Sequence, residues 1–192
     1  MKIQIREERP EALSAYSQIP IAFLVESRFR VELVEGGLGG FTLIEEKLPT
    51  PYTKDYDADP NEGPSNWAKQ WDLSRWGIFS AFADGERLGG VVIAFDMQGI
   101  DFVSNRQAEA VVWDIRIKPA VRGQGVGGQL MERAMAWAGA RGCAVLKAET
   151  QNVNVPACRF YACQGYALEA IRRHAYVSYP EEVQLIWQRE LR

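Results

Sequence analysis

Cysteine is scarce in this sequence, histidine scarcer, and long apolar runs are missing. The three cysteines, Cys143, Cys158 and Cys163, show neither metal-ligand nor redox C-x-x-C spacing. An odd number of cysteines, behind an N-terminus (MKIQIREERP) without a signal-type apolar stretch, predicts reduced thiols and a cytoplasmic protein. The single histidine, His174, reads as structural, and no metal is expected. No run approaches the ~20 apolar residues of a membrane span. Positive charge is not in excess either. Lys and Arg total 22 against 25 Asp and Glu, a net charge of −3, which gives no basic face for nucleic acid or an anionic membrane.

What is present suits one soluble domain of 192 residues with a real core, since 47% of the residues are hydrophobic and 24% charged. Six tryptophans exceed what packing needs, enough for some to line a cleft. KIQIRE alternates as a short strand, and Pro10 opens a helix over 11–18. Residues 28–35 and 41–48 alternate on either side of GGLGG and predict a hairpin. From Pro49 to Ser65 the chain turns polar and rich in proline and aspartate, which predicts an irregular loop. Between Glu45 and Glu62 six acids stand against Lys47 and Lys54.

Residues 76–96 read as two apolar strands turning at Asp84-Gly85, and 108–117 as a third. Val126, Leu130, Met131, Ala134, Trp137 and Ala138 recur at helical spacing before Gly142. CAVLKAET is the next strand, 156–165 a short helix closed by Gly165, and 166–178 and 183–191 two last strands. This order predicts an α/β fold with a mixed, mostly antiparallel sheet flanked by helices.

The stretch VVWDIRIKPAVRGQGVGGQL packs four glycines into positions 123–128, at the mouth of the amphipathic helix. One reading is a turn in which glycine only permits tight geometry. Another is an anion site, because a helix start exposes unpaired N–H groups and a partial positive charge. Gly123, Gly125 and Gly128 also satisfy G-x-G-x-x-G, with Glu149 about 20 residues further on. A dinucleotide fold fails on context, since only one crossover follows and Pro119–Arg122 separates strand from helix. A P-loop fails because no Lys-Ser or Lys-Thr follows the glycines.

Arg122-Gly-Gln-Gly-Val-Gly127 matches the Q/R-x-x-G-x-G/A pyrophosphate loop of the GNAT superfamily of N-acetyltransferases. Asn154-Val-Pro-Ala-Cys-Arg-Phe-Tyr161, followed by Gly165-Tyr166, resembles that superfamily's second signature. The resemblance covers about residues 76–178. PYTKDY (51–56), the strand at 111–117 and ETQNVNVPACRFYACQGY (149–166) are similar to streptothricin N-acetyltransferases. The resemblance implies a single GNAT domain over 1–192, with a variable substrate-side portion over 1–75 and an acetyl coenzyme A-binding core over 76–178. Oligomers are common in the superfamily, so a homodimer stays an open alternative.

By that resemblance, the backbone of Ile115 and Ile117 would hold the pantetheine arm. The amides of Gly123, Gln124, Gly125, Val126, Gly127 and Gly128, with Arg122 adding charge, would hold the pyrophosphate. Asn154 would bond the pantetheine or cap the following helix. Tyr161 would protonate the departing thiolate, its plain alternative being a packed helix tyrosine with its hydroxyl in water. Asp114 and Glu149 are the candidate acids for holding the amine and taking its proton. Relatives often carry an acid where this chain has Trp113. The function implied is acetyl transfer from acetyl coenzyme A to a primary amine of a small cationic molecule of the streptothricin type, directly in a ternary complex. A peptide N-acetyltransferase and a non-catalytic acyl-coenzyme A sensor are the rivals.

Overall fold

In chain order the computed structural model, which describes residues 2–59 and 61–191, contains β1 (Gln4–Glu7), α1 (Leu13–Tyr16), β2 (Phe23–Leu33), β3 (Phe41–Lys54), α2 (Pro64–Gln70), β4 (Gly77–Ala83), β5 (Glu86–Phe95), β6 (Glu109–Ile117), α3 (Val126–Ala140), β7 (Val145–Gln151), α4 (Val155–Cys163), β8 (Ala167–Arg173) and β9 (Val183–Glu190). This is the expected α/β class with a mixed sheet. Two differences from the sequence reading stand out. The supposed loop after Pro49 begins as strand, and α2 was not anticipated. Pro49 and Pro51 are tolerated in β3 because they fall where the register jumps, between the pairs Ser27–Lys47 and Val25–Tyr52. A bulge asks no ladder hydrogen bond of them. Among the described residues no helix is long and apolar enough to cross a membrane.

The chain forms two compact units, each stitched from separated segments. One takes the residues up to Ile21, Asp55–Ala148 and those from Gln188 on; the other takes Ala22–Lys54 and Glu149–Trp187. In the first, β1, β4, β5 and β6 pair antiparallel in that order. β6 then pairs parallel with Val145–Ala148 of β7. The apolar stripe of α3 packs on one face of this sheet, with Leu130, Met131 and Ala134 fully buried. Trp137 from that stripe meets Phe79 and Phe95 edge-on. The other face carries Leu13 and Tyr16 of α1, Trp67 of α2, Leu73 and Trp76, packed with Ile78, Val92, Ala94 and Val111. β5 is therefore apolar at nearly every position, because both of its faces are covered.

Two local features aim side chains at the α1–α2 face. Gly90 of β5 lies under the Tyr16 ring, and a Cβ there would meet ring carbon Cε2 and the Phe79 carbonyl, each at 2.6 Å. The second feature is a bulge in β6. Val92 pairs with Asp114 and Ile93 with Val112, which leaves Trp113 without a partner on β5. Strict alternation would send Asp114 and Arg116 to the face opposite Val111 and Trp113. The extra residue shifts the phase, and all four side chains meet the Tyr16–Trp67 cluster.

In the second unit β2 and β3 form a separate antiparallel hairpin. Asn152, just after β7, joins it to the remaining strands. Its backbone N–H donates to the Val183 carbonyl (2.9 Å) and its carbonyl accepts from the Phe29 N–H (2.9 Å). Its side chain repeats the pattern, donating to the Phe29 carbonyl (2.8 Å) and accepting from the Val183 N–H (2.8 Å).

Gly90→Ala is expected to lower stability by about 1–3 kcal/mol through overpacking against Tyr16. Gly85→Ala, at a left-handed turn position with open space around it, should cost about 1 kcal/mol. Urea unfolding of both variants checks the order; equal losses would mean that Tyr16 moves aside freely.

Candidate active site

At the phase-shifted end of β6 a buried guanidinium organises the first unit. The Arg116 side chain is 1% exposed, and every one of its N–H groups has an acceptor. Nε donates to Asp114 Oδ1 (3.0 Å) and Nη2 to Asp114 Oδ2 (2.6 Å). Nη1 donates to Asp57 Oδ2 (2.7 Å) and to the Ile19 carbonyl (3.2 Å), and Nη2 also reaches Asp57 Oδ1 (3.3 Å). Burial opposes the charge, but the hydrogen bonds and charge of Asp114, with the hydrogen bonds of Asp57, outweigh it and raise the Arg116 pKa. Tyr16 completes the group. Its ring lies 5.2 Å from the guanidinium and its hydroxyl donates to Asp114 Oδ1. Burial, then the Asp114 charge, pushes the Tyr16 pKa well above its ordinary 10.0, so the phenol keeps its proton.

Asp114, a sequence candidate for the base, is thus 6% exposed at its side chain, and its two oxygens already accept three hydrogen bonds. Beside it opens a cavity of about 340 Å³ walled by Trp67, Trp71 and Trp113 and edged by Asp57, Glu62 and Asp114. Trp113 meets the rings of Trp67 at 6.4 Å, Trp71 at 5.8 Å and Trp76 at 5.1 Å. The sequence alone singles out neither Arg116 nor Tyr16, and it offers Asp57 only as one of the six acids between Glu45 and Glu62, a segment that would suit a polycationic substrate. The Asp-x-Arg of DIR is visible in β6, but its partners lie far away in the chain.

The glycine turn has the geometry of an anion cradle. Gly123 and Gly125 are left-handed at φ 75° and 83°, and a Cβ on either would point into open space. Gly125 occupies the N-cap of α3 without any side-chain cap. The first i to i−4 bond runs from the Gln129 N–H to the Gly125 carbonyl (3.3 Å), so the N–H groups of Val126, Gly127 and Gly128 precede the helical ladder. A pyrophosphate fits such a turn. Arg122 is braced: Nε donates to the Ile117 carbonyl (3.0 Å) and Nη2 to the Pro20 carbonyl (3.2 Å). Gln124 donates to the Ala120 carbonyl (3.2 Å). Ile115 and Ile117 lie beyond the Val112–Ala148 pair at which the parallel ladder to β7 ends.

In the second unit Glu149 accepts the Tyr176 hydroxyl, which itself accepts from Gln151 Nε2 (3.1 Å). Asn154 caps α4, its side chain accepting the Ala157 N–H at 3.1 Å. Tyr161 is 4% exposed and stacks edge-on with Phe160 and Tyr166. The three cysteines are free thiols. Burial pushes the Cys158 pKa up to about 11 and that of Cys143 above its ordinary value, whereas Cys163 is exposed.

A sequence profile of the Acetyltransferase (GNAT) family matches residues 42–166. The chain belongs to the GNAT acetyltransferase family. It is 29% identical over 191 residues to streptothricin acetyltransferase of Escherichia coli, covering 97% of this chain and 94% of that protein. Streptothricin acetyltransferase A of Bacillus subtilis is 26% identical over 151 residues, covering 78% and 79%. A crystal structure of nourseothricin acetyltransferase superposes with a TM-score of 0.76 at 27% identity, over all of both chains. A Bacillus anthracis protein assigned as a streptothricin acetyltransferase, solved with acetyl coenzyme A, gives 0.78 over 98% and 99% of the chains at 23% identity and shares the fold. As a GNAT acetyltransferase the chain is an enzyme of a family that uses acetyl coenzyme A.

Arg116→Met would leave the buried Asp114 and the half-buried Asp57 without their cation, and the expected loss is about 3 kcal/mol in urea unfolding. Tyr16 predicts a pH effect. Its folded pKa lies above 10.0, so the folded chain holds a proton that the unfolded chain releases. The stability from this is complete below pH 10 and is lost as pH rises further. Unfolding followed from about pH 9 to 11 should fall more steeply in the unmodified chain than in Tyr16→Phe; parallel curves would contradict it.

Proposed function

We propose that the chain acetylates a primary amine of a small cationic molecule of the streptothricin type, taking acetyl from acetyl coenzyme A directly in a ternary complex. The observation that carries the acceptor is the likeness to the Escherichia coli streptothricin acetyltransferase, which extends through 97% of the chain and not the cofactor portion alone. Acetylating such an amine removes a charge and weakens its attraction to anionic RNA, which would account for antibiotic resistance.

Acetyl coenzyme A, when bound, supplies an acetyl group activated as a thioester. The amides from Gly123 to Gly128 hold its pyrophosphate at the start of α3, where left-handed Gly123 and Gly125 keep the approach clear. Arg122 adds charge while bracing the turn. The backbone of Ile115 and Ile117 takes the pantetheine arm, and the Ile117 N–H polarises the acetyl oxygen. Asn154 caps α4 and bonds the pantetheine arm.

Asp114 is held by Arg116 and Tyr16 and acts as a fixed negative charge that draws the cationic acceptor toward the site. Glu149 takes the amine's proton, since its carboxylate is less committed than that of Asp114. Tyr161 gives up its phenolic proton to the departing sulfur. Direct transfer is favoured because burial keeps the thiols of Cys158 and Cys143 protonated at neutral pH, and a protonated thiol is a poor nucleophile.

Purified protein with acetyl coenzyme A should release free thiol with streptothricin and not with short peptides. Tyr161→Phe should lower kcat about 100-fold with cofactor binding kept, and Cys158→Ala should retain turnover. Release with peptides alone would overturn the acceptor, and loss of turnover in Cys158→Ala would overturn direct transfer.

A further inference from the structure

The cavity beside Asp114 holds more negative charge and more aromatic surface than fold or transfer chemistry requires. Three carboxylates, Asp57, Glu62 and Asp114, border it against one guanidinium, that of Arg116. Arg116 has no N–H left to offer a ligand. The Glu62 side chain has no cationic partner among the described residues. Elsewhere this chain places its own cations over aromatic rings: Arg133 over Phe79, Arg75 over Phe95, Arg141 over Trp137 and Lys54 over Tyr179. Among the described residues none lies over Trp67, Trp71 or Trp113, although these rings stand next to the carboxylates. A walled cavity of about 340 Å³, aromatic on its sides, anionic at its rim and without an internal cation, matches a weakly hydrated organic cation.

We infer that this cavity binds a cationic group of the acceptor, an ammonium or guanidinium, other than the amine that is acetylated. The inference rests on the acetyltransferase reading above. The chemistry separates the two groups. A reacting amine must shed its proton to attack, whereas carboxylates and ring faces stabilise the protonated form and raise an amine's pKa. A group held here stays charged and does not react. It anchors the molecule while a second amine is acetylated, so good acceptors carry at least two cationic groups. Trp71 and Glu62 are specificity residues. Both come from the α2 segment, and Trp71 is 37% exposed at the cavity mouth.

Binding can be measured apart from turnover. Arginine amide and citrulline amide differ at one end, where a guanidinium is replaced by a neutral urea. Each is titrated into the protein without donor, by calorimetry and tryptophan fluorescence. Arginine amide should bind at least about tenfold more tightly, and Glu62→Gln and Trp71→Leu should each weaken it about tenfold. In the transfer assay both variants should raise the KM for streptothricin by a similar factor, with kcat and the KM for acetyl coenzyme A unchanged. Equal binding of the two amides, or binding indifferent to both substitutions, overturns the inference. Thiol release with streptothricin and an unchanged KM in both variants overturns this subsite and spares the acceptor reading. Guanidinium binding lost in both variants, with no thiol release from any amine, sustains the cation site and overturns the acceptor reading.

Discussion

A buried arginine is the constraint on which the first unit turns. Arg116 sits away from water with every donor satisfied, and its five N–H groups reach β6, the segment after α1 and the segment before α2. Such a network adds little net stability over a well-packed apolar substitute. What it fixes is position. The two carboxylates are locked at set distances, Tyr16 is drawn over Gly90, and the tryptophan wall is built around a rigid centre. The neutral phenol of Tyr16 and the charged guanidinium are two sides of one arrangement, because Asp114 favours the proton on the first and the charge on the second.

The second unit solves a similar problem with a neutral group. Asn152 answers a backbone N–H and a carbonyl twice over, once with its own backbone and once with its side chain. An amide is the side chain suited to this, since it alone carries the donor and acceptor of a peptide group. At the glycine turn, side chains are kept out instead. There the recognition surface is backbone alone, and its value lies in what Gly123 and Gly125 lack.

Much of this was legible in the sequence because it is local. The turn at Asp84-Gly85, the period of α3, the glycine loop and the Asn154 cap each depend on residues a few positions apart. Asn154 had two readings and the cap is the one seen. The Arg116 network was not legible, since Ile19, Asp57 and Tyr16 come to it from far along the chain. The strand through Pro49–Lys54 was hidden by its prolines, which signal loop unless a bulge excuses them. α2 was hidden because its 7 residues from Pro64, about two turns of helix, carry too little periodicity to register. The direction of Asp114 could not be read from alternation, because alternation is what the β6 bulge breaks.

That bulge makes β6 a strand read in two frames. Up to Trp113 its side chains follow one parity, and from Asp114 onward the other. Changes of residue type along the strand alter size or charge at one point. A change of length by one residue between Val112 and Arg116 would turn the whole distal segment over, carrying a guanidinium and a carboxylate toward the apolar packing of α3 and the isoleucines toward the cavity. The strand can therefore diversify by substitution while its length stays fixed, and the single extra residue acts as punctuation that tells the chain where its interior ends and its chemistry begins.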